Sequence, residues 1–369
     1  MPRSAGHNPT AQVGGLRMSQ ESDGTDANPP RLSTVARDSV TFRAVAAVVD
    51  LGLSLLETPE GKHSLAWIGR EVISHRAHFD HIYEDRPENM AWWVDFFLVR
   101  LRNHFPPLVL TNHIRGEGEA YKANWARGGL KMNQWDPNKA GVMKLNKLII
   151  QHLLRAGEAA SRRVHPRKAH LAAFESFMFL MAITVAHEVV HFFTGFLTGY
   201  VLPPTPAEVS FLPSKYNVRW NGVELGESGR AWEATLLGGI IEGVEDPSHP
   251  LGVYQAGTFY LIDEQNQARR IDRHYVKRFL ERNFTFPLRT TGVPTTLHNL
   301  DRETRRMYEL RWCLLPSGLV QSLNRGSLQV ISNENLRIYT GTPSYTVRDR
   351  EFAIVRQASV EPDYLFVPA

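Results

Sequence analysis

The chain of 369 residues contains a single cysteine, Cys313. An intramolecular disulfide is therefore impossible, and so is a zinc site built from several thiolates. A metal bound by this chain must be held by histidine and carboxylate side chains. The N-terminal segment also lacks the apolar core of a secretory signal and is rich in Gly, Ser, Pro, Asn and Asp. We therefore expect a cytoplasmic protein with a disordered N-terminal tail over residues 1–38.

The sequence also lacks a strong excess of charge of either sign. Its 42 basic side chains against 38 acidic ones give a formal net charge of +4. We find no dense block of Lys and Arg with interleaved aromatic residues, the pattern that follows a phosphate backbone. Nucleic acid is therefore not an expected partner. The hydrophobic content of 43% predicts a globular protein with one large or two ordinary domains, and leaves the oligomeric state open.

No uninterrupted apolar run is long enough to cross a bilayer. The most apolar segment, "FMFLMAITVA" at residues 177–186, has about half the ~20 residues that a span requires. His187, Glu188 and His191 follow it, and they would lie in the middle of the membrane at high cost. We predict a buried helix of a soluble protein and no membrane partner.

The spacing of apolar residues predicts helices over much of the chain. The longest runs from about residue 167 to 194, and another covers about 228 to 241. Between residues 111 and 146, glycine-punctuated runs predict a small sheet. One of these runs, "LKMNQW" at residues 130–135, is a candidate edge strand that could pair with an extended substrate. The predicted fold class is α+β, predominantly helical, with a small mixed or antiparallel sheet.

The long helix carries the segment "AHEVVHFFTG", which has the pattern His-Glu-x-x-His. His187 and His191 lie one helical turn apart, so both imidazoles can face one ion. Catalytic zinc commonly takes three protein ligands and keeps one position for water. Glu188 lies beside this pair, where it can act as a general base on a zinc-bound water. The pattern predicts a Zn²⁺ cofactor held by His187 and His191; the alternative is a buried cluster without metal.

A second segment, "GESGRAWEATLLGG", offers two carboxylates, Glu227 and Glu233, as the third ligand. If both were helical they would lie about 120° apart around the axis, so only one could face the ion. Glu227 lies at the predicted helix start, where a carboxylate can cap the helix and interact with its dipole. Glu233 lies among apolar residues, where an unpaired carboxylate is costly. These considerations favour Glu233 and leave Glu227 open.

Together, the two segments resemble the thermolysin-like gluzincin metallopeptidases, which carry a Glu-Ser-Gly-x-x-x-Glu-Ala segment after their His-Glu-x-x-His helix. The resemblance covers about a tenth of the chain. It implies a zincin-like fold with a long active-site helix, Glu233 as the third zinc ligand, and peptide bonds as substrates. The chain departs from the family in a longer spacing between His191 and Glu233, and in Leu237, where the family places an aspartate that orients a ligand histidine. The motif helix also resembles that of little-characterised fungal proteins, which implies no specific substrate.

A zinc hydrolase usually adds a side chain that stabilises the oxyanion opposite the metal. Several residues after the second motif are candidates, and Tyr254 is the preferred one. None stands at a distance in sequence from the motifs that singles it out, and each can equally be an ordinary packing or surface residue. We expect residues 39–290 to form the metal-binding domain and residues 291–369 to form a C-terminal mixed region packed on it.

Three functions are compatible with these residues. The first is a zinc metallohydrolase, expected to be a peptidase, with Glu188 as the general base. The second is a metal-dependent enzyme that uses the same site on a small molecule, for example in tailoring a natural product. The third is a non-catalytic binding protein stabilised by metal, for which Leu237 is the main support.

Overall fold

The computed structural model describes residues 13–21, 32–75, 82–114, 116–199, 205–213, 218–220, 223–244, 249–252 and 254–296. Residues 297–369 lie outside the described residues, and with them Cys313 and nearly all of the expected C-terminal region. The described part combines helices with small sheets, as the α+β expectation requires.

The helices begin and end where local signals place them. Ser39 caps the first helix by accepting a hydrogen bond from the backbone N–H of Phe42, and Thr58 does the same for the second, which begins at Pro59. The helices are α1 (Val40–Leu56), α2 (Pro59–Ser74), α3 (Met90–Asn103), α4 (Pro137–Ala140), α5 (Lys147–Ser161), α6 (Arg167–Thr198), α7 (Ser228–Leu237) and α8 (Arg273–Leu280).

The first sheet has five strands in the order β2-β1-β3-β5-β4. Its strands are β1 (Met18–Glu21), β2 (Leu32–Thr34), β3 (Leu108–Thr111), β4 (Gly118–Lys122) and β5 (Gly141–Asn146). The central strands β1, β3 and β5 are parallel, whereas β2 and β4 pair antiparallel with their neighbours. The sheet is therefore mixed, and β4 is one of its two edges.

A second sheet follows the two motif segments in the sequence. It has the order β11-β10-β9-β8 and consists of β8 (Ile240–Val244), β9 (Thr258–Ile262), β10 (Gln267–Ile271) and β11 (Thr290–Thr296). The segment "TFYLIDEQNQARRID" has the sequence pattern of a hairpin, and β9 and β10 within it pair antiparallel. A two-stranded ribbon of β6 (Val218–Trp220) and β7 (Val223–Leu225) leads into α7.

Helix α6 is the central element of the described structure. It packs against α1, α5, α7 and β4, and nearly all its residues from 181 to 198 are buried. It is long and apolar enough to cross a membrane by length and composition alone, but 56% of its most apolar window is buried inside the fold. It ends at Gly199, whose φ of 63° lies in the left-handed region that favours glycine, rather than near residue 194 as the sequence predicts.

Three sequence expectations differ from the structure. The tail over residues 1–38 is not wholly disordered, because β1 and β2 lie within it and Met18 is buried against the core. Residues 130–135 form no strand: Met132–Gln134 is a 3-10 turn, and β4 takes the edge position. The expected boundary at residue 290 falls inside the second sheet, since β11 pairs with β10.

Candidate metal centre

The helix motif lies in the buried half of α6. His187 and Glu188 are almost completely buried, and the side chain of His191 is 13% exposed. The two imidazoles face each other across one helical turn, with their Nε2 atoms 3.2 Å apart. The structure thus places His187 and His191 as the spacing predicts, with one nitrogen of each aimed at the same point.

The third group at this point is Glu227. Its Oε1 atom lies 2.6 Å from Nε2 of His191 and 3.3 Å from Nε2 of His187. Glu227 precedes α7 with extended backbone angles (φ −129°, ψ 90°), and its other oxygen, Oε2, accepts a hydrogen bond from the backbone N–H of Arg230. One carboxylate oxygen therefore caps α7 while the other faces the histidines.

The distances among these three atoms fit a shared metal ion. Ligand atoms held about 2.0–2.1 Å from zinc in tetrahedral geometry lie about 3.3 Å from one another. Two of the three separations, 3.2 Å and 3.3 Å, match this value, and the third, 2.6 Å, is shorter. Although Oε1 of Glu227 is buried and close to both imidazoles, it makes no hydrogen bond among the described residues. His187, His191 and Glu227 can therefore hold a metal ion.

Glu233 lies on the opposite side of His187. Its Oε1 atom is 2.6 Å from Nδ1 of His187, and its Oε2 atom accepts a hydrogen bond of 2.9 Å from the backbone N–H of Ile241 in β8. The expectation that Glu233 supplies the third ligand therefore differs from the geometry, which brings Glu227 to that position. Glu233 instead provides a carboxylate beside Nδ1 of His187, where it can orient the imidazole, a role for which Leu237 is unsuited.

Each imidazole is fixed through the nitrogen that faces away from the candidate ion. Nδ1 of His187 contacts Glu233, and Nδ1 of His191 lies 3.1 Å from the hydroxyl of Ser228. A hydrogen bond at Nδ1 sets the tautomer and leaves the Nε2 lone pair available for a metal. Helix α7 therefore contacts both histidines, through Glu233, which the sequence favours as a ligand, and through Ser228.

Glu188 lies beside this group, under strand β4. Its Oε2 atom accepts a hydrogen bond of 2.6 Å from the backbone N–H of Ala120, whereas its Oε1 atom is buried without a partner among the described residues. Burial raises the pKa of Glu188 to about 8. A carboxylate with one oxygen held and one unpaired is suited to accept a proton from a neighbouring group.

The charges around the centre favour a cation. Burial alone would raise the pKa of Glu227, but the two histidines outweigh it and hold that pKa well below its usual range. Burial lowers the pKa of His191 to about 4, whereas Glu227 and Glu233 raise the pKa of His187 well above its usual value. Several carboxylates buried beside two imidazoles are costly without compensating positive charge, which a divalent ion supplies.

Gly229 has no side chain, and the ring of His187 occupies the space in which one would lie. A Cβ atom at residue 229 would lie 2.4 Å from Nε2 of His187 and 2.5 Å from two ring carbons. Such contacts are much shorter than van der Waals distances, so the imidazole would have to move. Gly229 is thus required for close approach of α7 to α6, at the nitrogen proposed to bind metal.

We expect Gly229→Ala to weaken zinc binding by at least about tenfold, because the displaced imidazole no longer aims Nε2 at the shared point. Zinc affinity measured by chelator competition checks this, with circular dichroism to confirm folding. Gly157→Ala is a control in another helix, where the added Cβ meets only the ring of Phe174 at 3.0 Å. Unchanged zinc affinity in Gly229→Ala would show that the observed ring position is not needed.

Tyr254, the expected oxyanion donor, packs away from the centre. Its ring lies 5.0 Å from the ring of His152, and the guanidinium of Arg155 lies 3.8 Å above it, both on α5. His152 in turn contacts Phe177, which is ten residues before His187 on α6 and thus about 15 Å along the helix. These contacts give Tyr254 a packing role and do not bring it to the candidate metal centre.

The residues that sequence reasoning missed act through backbone or through short side chains. Ala120 carries no pattern that distinguishes it in the sequence. Ser228 and Gly229 lie in the Glu-Ser-Gly part of the second segment, to which the sequence alone assigns no role at the centre. Glu227 is the exception, because the sequence leaves it open as a ligand although a capping role also explains its position before a helix. Both roles are compatible because a carboxylate has two oxygens.

The comparisons with known proteins find no family model, no curated protein and no solved structure that matches the chain.

Proposed function

We propose that this protein is a mononuclear zinc hydrolase that acts on peptide bonds, with His187, His191 and Glu227 as the metal ligands. The observation that carries the proposal is the convergence of two Nε2 atoms and one carboxylate oxygen, with the unpaired Oε1 of Glu188 beside them. The proposal keeps the zinc and the general base expected from the sequence and replaces Glu233 with Glu227 as the third ligand.

Zinc at such a centre would lower the pKa of a water molecule and polarise the carbonyl under attack. Glu188 takes the proton of the attacking water on Oε1 and returns it to the leaving amine, so the carboxylate is restored at the end of the cycle. The backbone N–H of Ala120 keeps the other oxygen in place throughout. Glu233 and Ser228 hold the two imidazoles in the orientation that ligation requires.

Strand β4 supports a peptide as the substrate. Among the described strands it is an edge of the first sheet, where it packs along α6 and pairs with β5 alone. The N–H of Ala120 faces away from β5, because it donates to Glu188. An edge strand beside the centre can add an extended peptide by main-chain hydrogen bonds. This strand, rather than residues 130–135, is the proposed substrate edge.

We also propose that the chain has the fold of the gluzincin family, and the arrangement of its sheet and helices supports this. A mixed sheet with an antiparallel edge strand lies along the helix that carries the motif, and a second helix, α7, contributes from the other side. Leu237 stands where the family has an aspartate, and this difference favours the alternative of a non-catalytic protein. That support is weakened because Glu233 contacts Nδ1 of His187. We also propose a cytoplasmic location, for which the burial of α6 and the single cysteine are the support.

Metal analysis of the purified protein tests the proposal. We expect about one zinc ion per chain in the natural protein, and a large loss of bound zinc in His187→Ala, because one of three ligands is removed. His170→Ala, a change at a histidine near the start of the same helix, should retain the metal. A natural protein that binds no stoichiometric divalent metal after incubation with zinc would defeat the proposed function.

A further inference from the structure

The turn that joins α5 to α6 concentrates positive charge at one end of the long helix. Residues 162–168 have the sequence "RRVHPRK", which contains four Arg or Lys side chains and no Asp or Glu. All four cations are exposed: Arg162, Arg163, Arg167 and Lys168. The whole chain has 42 basic and 38 acidic side chains, so this short segment carries as large an excess of positive charge as the entire protein.

Most of this charge is not offset within the fold. Arg162 pairs with Glu158, one turn earlier in the chain, at 2.9 Å. Within the part of the chain that the structure describes, no ion pair or side-chain hydrogen bond involves the other three cations, which are Arg163, Arg167 and Lys168. These three charges face solvent and are available to an external partner.

Arg163 occupies a backbone position that usually belongs to glycine. Its φ of 57° lies in the left-handed region, and the N–H of Val164 donates to the carbonyl of Ala159 at 2.9 Å, which closes a Schellman cap at the end of α5. Glycine adopts this conformation without steric cost, whereas arginine does not. A long cation therefore stands where local stability favours no side chain.

Two exposed aliphatic side chains lie among the charges. Val164 is 46% exposed and Leu171 is 43% exposed. Leu171 lies three and four residues after the two cations at the start of α6, so it shares a face of the helix with them. Further along α6, the carboxylate of Glu175 is paired with Arg273 of α8 at 3.2 Å. The surface is therefore cationic with apolar side chains interspersed.

We propose that residues 162–171, the basic turn, dock the protein on a membrane surface that contains anionic lipids. Each cation next to such a surface contributes roughly fivefold in affinity. Aliphatic side chains can enter the boundary between lipid headgroups and acyl chains. The basic turn contains no Phe, Tyr or Trp, the side chains on which nucleic acid bases stack. The composition therefore favours a lipid surface over a nucleic acid.

This peripheral contact differs from the expectation that no membrane is a partner, which rests on the lack of a spanning segment. Docking through the basic turn needs no span. The proposed cytoplasmic location would place the protein beside the leaflet that carries anionic lipids. His187 lies about 30 Å along α6 from Arg167. Substitutions in the basic turn should therefore leave the zinc content unchanged.

Flotation of the full-length protein with lipid vesicles tests the docking. Vesicles of phosphatidylcholine alone are compared with vesicles that also contain phosphatidylserine, at low and at physiological salt. We expect binding only to the anionic vesicles, and weaker binding at the higher salt concentration because ions screen exposed charges.

Three variants of the basic turn separate its charge from its apolar contacts and from folding. Arg163→Gly should weaken vesicle binding about fivefold without lowering the melting temperature, since glycine suits the backbone there. Arg167→Gln combined with Lys168→Gln should weaken it roughly 25-fold. Leu171→Ser should weaken it several-fold at unchanged charge, because an apolar side chain no longer enters the lipid boundary.

Arg127→Gln combined with Lys139→Gln is the matched control, because it also removes one Arg and one Lys from exposed positions. Near neighbours of these residues in the sequence contact α6 at Phe192 and at Gly199, towards its other end. The control should bind vesicles as the natural protein does. Docking is overturned if neither kind of vesicle binds, if both bind equally, or if the control loses as much binding as the variant of the basic turn. Binding to a DNA duplex but not to anionic vesicles would also overturn it.

Discussion

Replacing Glu227 by Gln should lower zinc affinity by more than about 100-fold. Loss of a group that only supports a metal ligand lowers affinity by up to about 100-fold, and loss of a ligand itself should cost more. The neutral amide is a poor ligand for zinc, but its oxygen can still accept the hydrogen bond from the N–H of Arg230 that caps α7. The loss should therefore occur without unfolding of the helix. Chelator competition measures the affinity, and thermal melting of the metal-free proteins checks the cap.

Glu233→Gln is the comparison that decides between the two glutamates. Glu233 contacts Nδ1 of His187 and is held by Ile241, so its loss should loosen the histidine and weaken zinc by about 10–100-fold. The deciding result is which of the two substitutions, Glu227→Gln or Glu233→Gln, lowers zinc affinity more. A greater loss in Glu233→Gln than in Glu227→Gln would restore the ligand assignment that the family resemblance implies.

Replacing Glu188 by Gln should leave zinc bound and reduce kcat by about 10²–10⁴-fold, the contribution typical of a general base. Glutamine has the same shape and can still accept the hydrogen bond from Ala120, but it cannot take a proton from water. Steady-state kinetics on peptide substrates and metal content give the two readouts. The melting temperature of the metal-free protein should not fall, because burial already disfavours the charged form of Glu188.

Glu119→Gln provides the matched control for this substitution. Glu119 lies on the same strand as Ala120 but pairs with Lys144 at a partly exposed position. Its replacement should leave both zinc content and kcat close to those of the natural protein. A fully active Glu188→Gln enzyme would remove Glu188 from the mechanism and leave the metal assignment intact.

Local sequence signals determined much of the fold. Apolar periodicity, caps and glycines predicted the long helix, the hairpin of β9 and β10 and the small first sheet. They failed at residues 130–135, where a short run bounded by glycines suggested a strand. They also failed at β1, because a four-residue strand in a polar segment is stabilised by pairing with β2 and β3 and not by its own pattern.

For the centre, the sequence by itself determined the pair His187 and His191 with Glu188, because a four-residue spacing fixes two side chains on one face of any α-helix. It did not determine which of the two glutamates lies beside their Nε2 atoms. That choice depends on how α7 crosses α6: the helix starts just after Glu227, whose extended backbone aims one oxygen at the histidines, and Gly229 allows the close approach. The same crossing carries Glu233 to the far side of His187. Only the tertiary structure decided this, since the relative placement of two helices is set by packing between residues distant in the sequence.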